Sequence, residues 1–198
     1  MQGRNDRTMT YRNGMGDPRR TRRQVVLAGA SMAGAVLLAA CSTSGETAAG
    51  NTTDFKLVGY ESSNVIFPSG TTNLAKIRPV DKPLILNFWA GDCPACQSEM
   101  PAFQRVADQY GDRIMILGVD LGVFTGLGSH ESAKRLFNEL SIHYPTAYAV
   151  DDQPVHLFRI QAMPTTVFFT RTSRILTTSV GMLSESQLRG NVERLLAA

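Results

Sequence analysis

The stretch PLILNFWA (residues 83–90) is a nearly continuous apolar run without helical period, the pattern of a strand buried on both faces. GDCPACQSEMP (91–101) follows at once. Apolar residues at Met100, Phe103, Val106, Ala107 and Tyr110 then recur at helical spacing, so a helix is predicted from Pro94 to Tyr110. A buried strand that turns directly into a helix restricts the chain to a sheet carrying helices on its faces. It also sets two of the three cysteines, Cys93 and Cys96, at the turn.

The remainder of 54–198 alternates in the same way. FKLVGY (55–60) and NVIF (64–67) read as short β-type runs, an N-terminal hairpin. RIMILGVDLG (113–122) is a second buried strand, HESAKRLFNELS (130–141) a helix, PTAYAV (145–150) a short strand and QPVHLFRI (153–160) a short helix. TTVFFT (165–170) and RILTTSVG (174–181) form a β-hairpin around RTS. SESQLRGNVERLL (184–196) is a closing helix, with Ser184 and Gln187 at capping-box spacing. The expected fold class is α/β: a central mixed sheet flanked by helices, with an N-terminal β-hairpin extension.

The first 53 residues are of another kind. Residues 1–40 hold seven Arg and two Asp, a net charge of +5, so the whole-chain charge of +3 leaves −2 for residues 41–198. The basic character belongs to the leader and gives no support for nucleic-acid binding. An Arg-rich region ending PRRTRR precedes the uncharged QVVLAGASMAGAVLLAA (24–40), the order of a secretory signal. LAAC (38–41) resembles a lipoprotein lipobox, which makes Cys41 the expected lipidation site. TRRQVV (21–26) resembles a twin-arginine motif, and both that route and the general export route fit. Residues 41–53, the lipidated cysteine and STSGETAAGNTT, suit a flexible tether. The organisation expected is therefore a signal peptide over 1–40, a linker over 41–53 and one folded domain over 54–198, on the extracytoplasmic face of a bacterial membrane and anchored at Cys41. With Cys41 assigned to lipid, two cysteines are left to pair.

At the start of a helix the unpaired N–H groups and the dipole favour a thiolate, which makes Cys93 the expected nucleophile. Pro94 suits the first helical position, where its missing N–H costs nothing. Cys96, most of a turn later, is the resolving thiol that attacks Cys93 in a mixed disulfide.

NFWAGDCPACQSEMP (87–101) resembles the active-site segment of thioredoxin-fold proteins, specifically the extracytoplasmic TlpA/ResA-like thiol–disulfide oxidoreductases. Pro101, five residues after Cys96, matches the family's helix-kinking proline, though a helix that ends there fits the residues too. MPTT (163–166) matches the loop with the family's cis-proline, and VGMLSESQL (180–188) the approach to its last helix. The resemblance implies a thioredoxin fold and a redox-active Cys93–Cys96 disulfide with no further cofactor or metal. It further implies substrate docking at Met163 and Pro164, and tuning by the residues around the cysteines, Trp89, Asp92, Pro94 and Ala95. Protein disulfides such as apocytochrome c would be the substrates, and a membrane thiol–disulfide carrier would reset the couple.

Two departures stand out. Many thioredoxin relatives carry Trp where this chain has Asp92. A unit charge about 6 Å from Cys93 opposes its thiolate by about 0.7 kcal/mol in water and about 3 kcal/mol at an effective dielectric near 20. That rivals the helix-terminus effect of about 0.3–2 kcal/mol, so either Asp92 restrains Cys93 acidity, favouring a reductant, or it points into solvent. Asn87 stands where cytoplasmic thioredoxins usually have a buried Asp, leaving Glu99 and Glu131 as candidate proton acceptors, of which Glu99 fits the family's CxxCxxExP pattern.

The alternatives are a copper chaperone, for which His130, His143, His156 and Met163 are the available soft ligands, and a peroxidase. The copper-delivering relatives use CxxxC, and the Pro-x-x-x-Thr-x-x-Cys arrangement of a peroxidase is absent before Cys93.

Overall fold

The computed structural model describes residues 53–60 and 67–198. The expected signal segment, Cys41, nearly all of the linker and most of the 64–67 arm lie outside the described residues.

Among the described residues the sheet has seven strands in the order β2-β1-β5-β4-β3-β6-β7. They are β1 (Lys56–Gly59), β2 (Thr71–Asn73), β3 (Leu84–Trp89), β4 (Met115–Asp120), β5 (Thr146–Ala149), β6 (Thr165–Phe169) and β7 (Ile175–Val180). The run β3-β4-β5 is parallel, whereas β6 and β7 on one side and β1 and β2 on the other are antiparallel. The expected N-terminal hairpin is present with a different second arm. β1 pairs with Thr71–Asn73, a polar triplet that carries no β signal of its own and is held by its partner strand. Two further single-turn helices, α1 (Leu74–Ile77) and α3 (Gly122–Thr125), are too short to leave a periodicity.

β3 explains why the sheet carries helices on both faces. Its side chains alternate, so Ile85, Asn87 and Trp89 face one way and Leu84, Leu86 and Phe88 the other, all fully buried. The first face packs under α2 (Pro94–Tyr110), α4 (His130–Glu139) and α6 (Glu185–Leu196) through Met100, Phe103, Val106, Phe137, Leu188 and Val192. The second is closed by Phe55, Leu74 and residues around α5 (Gln153–Leu157), chiefly Phe158. α2 runs unbroken through Pro101 for 17 residues, so the proline does not end the helix. The Ser184/Gln187 capping box forms as expected at α6.

Candidate active site

The junction of β3 and α2 sets the geometry. Cys93 is the N-cap of α2 in extended conformation (φ −99°, ψ 106°), with Pro94 opening the helix. Its sulfur accepts the backbone N–H of Cys96 at 3.2 Å, the place a serine or aspartate oxygen takes at an ordinary N-cap. Cys93 and Cys96 are joined in a disulfide with Cα atoms 5.3 Å apart. Both cysteines are buried, Cys93 slightly less so at 4% exposed against 0% for Cys96. Pro94 is exposed and Ala95 half-buried beside them, and Trp89 is buried in the same apolar cluster as both cysteines.

The loop before Cys93 is clamped. Asp92 N–H donates to Leu127 O at 2.8 Å, and Leu121 N–H to Trp89 O at 2.9 Å, tying the active-site turn to the segment that leads into α4. A Cβ on Gly91 would lie 2.4 Å from Ala133 N and 2.5 Å from Ser132 Oγ, so the close approach requires glycine. The side chain of Asp92 is exposed and lies against Gly128, where a Cβ would come within 3.1 Å of its Oδ2.

Pro164 follows a cis peptide bond, as the resemblance implies. Its carbonyl accepts Gly181 N–H at 2.8 Å, joining the loop to the approach to α6. Met163 is half-buried and packs against the cluster that holds both cysteines.

The two candidate proton acceptors part company. Glu131 is exposed on the first turn of α4. Glu99 is 1% exposed, on the face of α2 that carries Cys96 one turn earlier. Its Oε1 accepts Asn87 Nδ2–H at 2.8 Å and its Oε2 accepts Leu183 N–H at 2.9 Å. Burial raises its carboxyl from 4.5 to about 7, against the lowering effect of Leu183 and Asn87. Tyr144, buried nearby, has its phenol pushed up by burial and further by the charge of Glu99.

A second buried carboxylate was not expected from sequence. Asp120, at the end of β4, accepts Tyr60 Oη–H at 2.8 Å and Gly122 N–H at 2.8 Å, with His130 Nδ1 at 3.3 Å. Burial raises its carboxyl too, opposed by those partners. The signal was there: a carboxylate closing a fully apolar strand must find donors. The other histidines are dispersed, His156 beside Asp152 and His143 exposed.

The AhpC/TSA family matches residues 51–177. The chain belongs to that family. Among curated proteins it is 28% identical over 109 residues to the thiol–disulfide oxidoreductase ResA of Oceanobacillus iheyensis, covering 55% of each chain. It is 25% identical over 114 residues to the thioredoxin-like protein YneN of Bacillus subtilis, covering 57% of this chain and 64% of that one. The chain thus spans little more than half the length of these curated relatives. Among solved structures it superposes on the exposed lipoprotein thioredoxin Etrx1 of Streptococcus pneumoniae with TM-score 0.59, at 21% identity, over 72% of this chain and 99% of that one. For StoA of Bacillus subtilis the TM-score is 0.55, at 20% identity, over 69% and 94% of the two chains. This is the thioredoxin fold in its TlpA/ResA-like form. No helix among the described residues is long and apolar enough to cross a membrane.

Proposed function

We propose that the protein is an extracytoplasmic thiol–disulfide oxidoreductase that reduces disulfides in protein substrates. The observation that carries this is the N-cap sulfur of Cys93, the less deeply buried of the disulfide pair, with Cys96 fully buried and Glu99 one turn further on. In the reduced form, the Cys93 thiolate attacks a substrate disulfide, forming a mixed disulfide and releasing one substrate thiolate. Cys96 gives its proton to Glu99 and attacks Cys93 Sγ, which breaks the mixed disulfide and releases the second thiolate. Two electrons pass from the dithiol to the substrate, the Cys93–Cys96 disulfide forms, and the Glu99 proton leaves with the product.

Met163 and Pro164, beside the cysteine cluster, offer an extended substrate segment a place to dock. The Asp92 side chain is exposed and lies against Gly128, so water screens its charge and it biases the Cys93 thiolate, and with it the direction toward reduction, only weakly. Trp89, Pro94 and Ala95 shape the surroundings of the couple. Apart from that disulfide no cofactor or metal is needed. A membrane thiol–disulfide carrier resets the couple, since residues 54–198 hold no further cysteine. Apocytochrome c is the client class this reading assigns, and Cys41 carries a lipid that holds the protein to the membrane.

Cys96→Ala strands the mixed disulfide on Cys93, and is expected to trap protein clients that Cys93→Ser does not. Reduction of insulin disulfides by the wild type, lost in both variants, is the companion assay. Tight Cu(I) binding without insulin reduction would replace this reading with that of a copper chaperone. Palmitate labelling lost in Cys41→Ala tests the anchor.

A further inference from the structure

Asn87 and Thr166 face each other in register across β3 and β6, and both are fully buried. The Asn87 amide spends both of its N–H groups inside the protein. One goes to Glu99 Oε1 at 2.8 Å and the other to Thr166 Oγ1 at 3.0 Å. Its Oδ1 is buried and has no hydrogen-bond partner among the described residues. An unpaired buried carbonyl is costly, and the amide oxygen and nitrogen are nearly the same size, so packing alone does not select this orientation. What it preserves is a donor aimed at the carboxylate.

We infer that Asn87, oriented by Thr166, is a positioning residue for the proton acceptor. Its amide holds the Glu99 carboxylate in place and, together with the Leu183 amide, favours its charged form for the resolving step. The inference rests on reading Glu99 as the group that takes the Cys96 proton. It also accounts for an amide, rather than an acid, at position 87. A carboxylate there would sit within hydrogen-bond distance of Glu99, and two such carboxylates cannot both be ionised. The strand acid and the helix acid therefore exclude one another, and this chain has placed its acid on the helix. The other titratable groups toward Glu99 among the described residues are Cys96 on the same helix and Tyr144 from the approach to β5.

The test is a pH titration of the Glu99 carboxyl carbon by NMR in the oxidised full-length protein. It is paired with the pH profile for resolution of a mixed disulfide between the reduced protein and a model peptide. Wild-type Glu99 should titrate near 7, with the low-pH limb of the resolving rate following it. Asn87→Leu, which keeps the volume and removes the donor, should raise the midpoint by about one to two pH units and slow resolution at pH 7 about tenfold or more. Asn87→Asp, which keeps the shape, should give two carboxyl steps with the upper one above the wild-type midpoint. Tyr144→Phe should leave the midpoint within about half a unit, as loss of a neutral group at a distance should. A Glu99 midpoint unmoved in both Asn87 variants would overturn the inference even if the wild-type rate follows Glu99. A midpoint that moves while the rate ignores it would uphold Asn87 as the residue that sets Glu99 and would remove Glu99 from the reaction instead.

Discussion

Glu99 and Asp120 are both carboxylates sunk into the same face of the molecule's core region, and both are pushed toward the protonated form by burial. Their surroundings differ in kind. Asp120 sits at a strand end amid a phenol, a backbone amide and an imidazole, three partners from three separate elements. Among the described residues Glu99 has two donors, and one of them is an amide whose own oxygen has no partner there. A carboxylate with many partners pins loops together, and one with few can exchange a proton near neutral pH. Asp120 ties the turn after β4 to the N-terminal strand and to α4. Glu99 lies one helical turn from Cys96, whose thiol it deprotonates in the proposed cycle.

That contrast can be broken most sharply by activity. Glu99→Gln should slow the resolving step at pH 7 by about 100-fold or more, the usual loss for a missing general base, and should remove the low-pH limb of the profile. Asp120→Asn should leave the rate per folded molecule within about threefold, measured by stopped-flow release of a peptide thiol. Equal losses in the two variants would erase the distinction.

Stability is the next measure. Glu99 binds a proton up to about 7 in the folded chain and only to about 4.5 unfolded, so the folded form holds more protons in that window. Its contribution to stability is full below about 4.5 and is lost as pH rises through 7, by about 3 kcal/mol. Urea unfolding of the oxidised protein at pH 4.5 and 8 should show this fall, and Glu99→Gln should reduce it by that amount. Asp120→Ala should cost about 2–3 kcal/mol at pH 7, because the Tyr60 hydroxyl and the Gly122 amide lose their acceptor inside the protein. Tyr60→Phe should cost about 1.5 kcal/mol by the same assay. His130→Gln should cost less than about 1 kcal/mol, since the imidazole is 43% exposed and water can take its place.

Much of this site could be read from the sequence because it is written locally. The strand, the turn, the N-cap cysteine and the first helical proline occupy one continuous stretch, and each follows from periodicity or from helix-end chemistry. The Ser184/Gln187 box is legible for the same reason. Asn87 and Glu99 were each singled out, but their hydrogen bond was not foreseeable, because it depends on how α2 lies over β3. The Leu183 amide that completes the carboxylate is 84 residues away in sequence and has no side-chain signature at all. Asp120 is different: the apolar strand before it is legible, and a carboxylate at its end demands donors, but the sequence does not say that Tyr60, Gly122 and His130 supply them. β2 and the two single-turn helices follow from their neighbours, so no local pattern marks them.

The last of these long-range contacts bears on how the protein comes into being. The amide of Leu183 follows Cys96 by 87 residues in the sequence. A polypeptide still emerging from the ribosome or from a translocation pore thus carries Cys93 and Cys96 well before it has the Leu183 amide that completes the donors to Glu99. On the proposed reading, a chain cut between CPAC and Leu183 keeps both sulfur atoms but leaves the Glu99 carboxylate without its backbone donor.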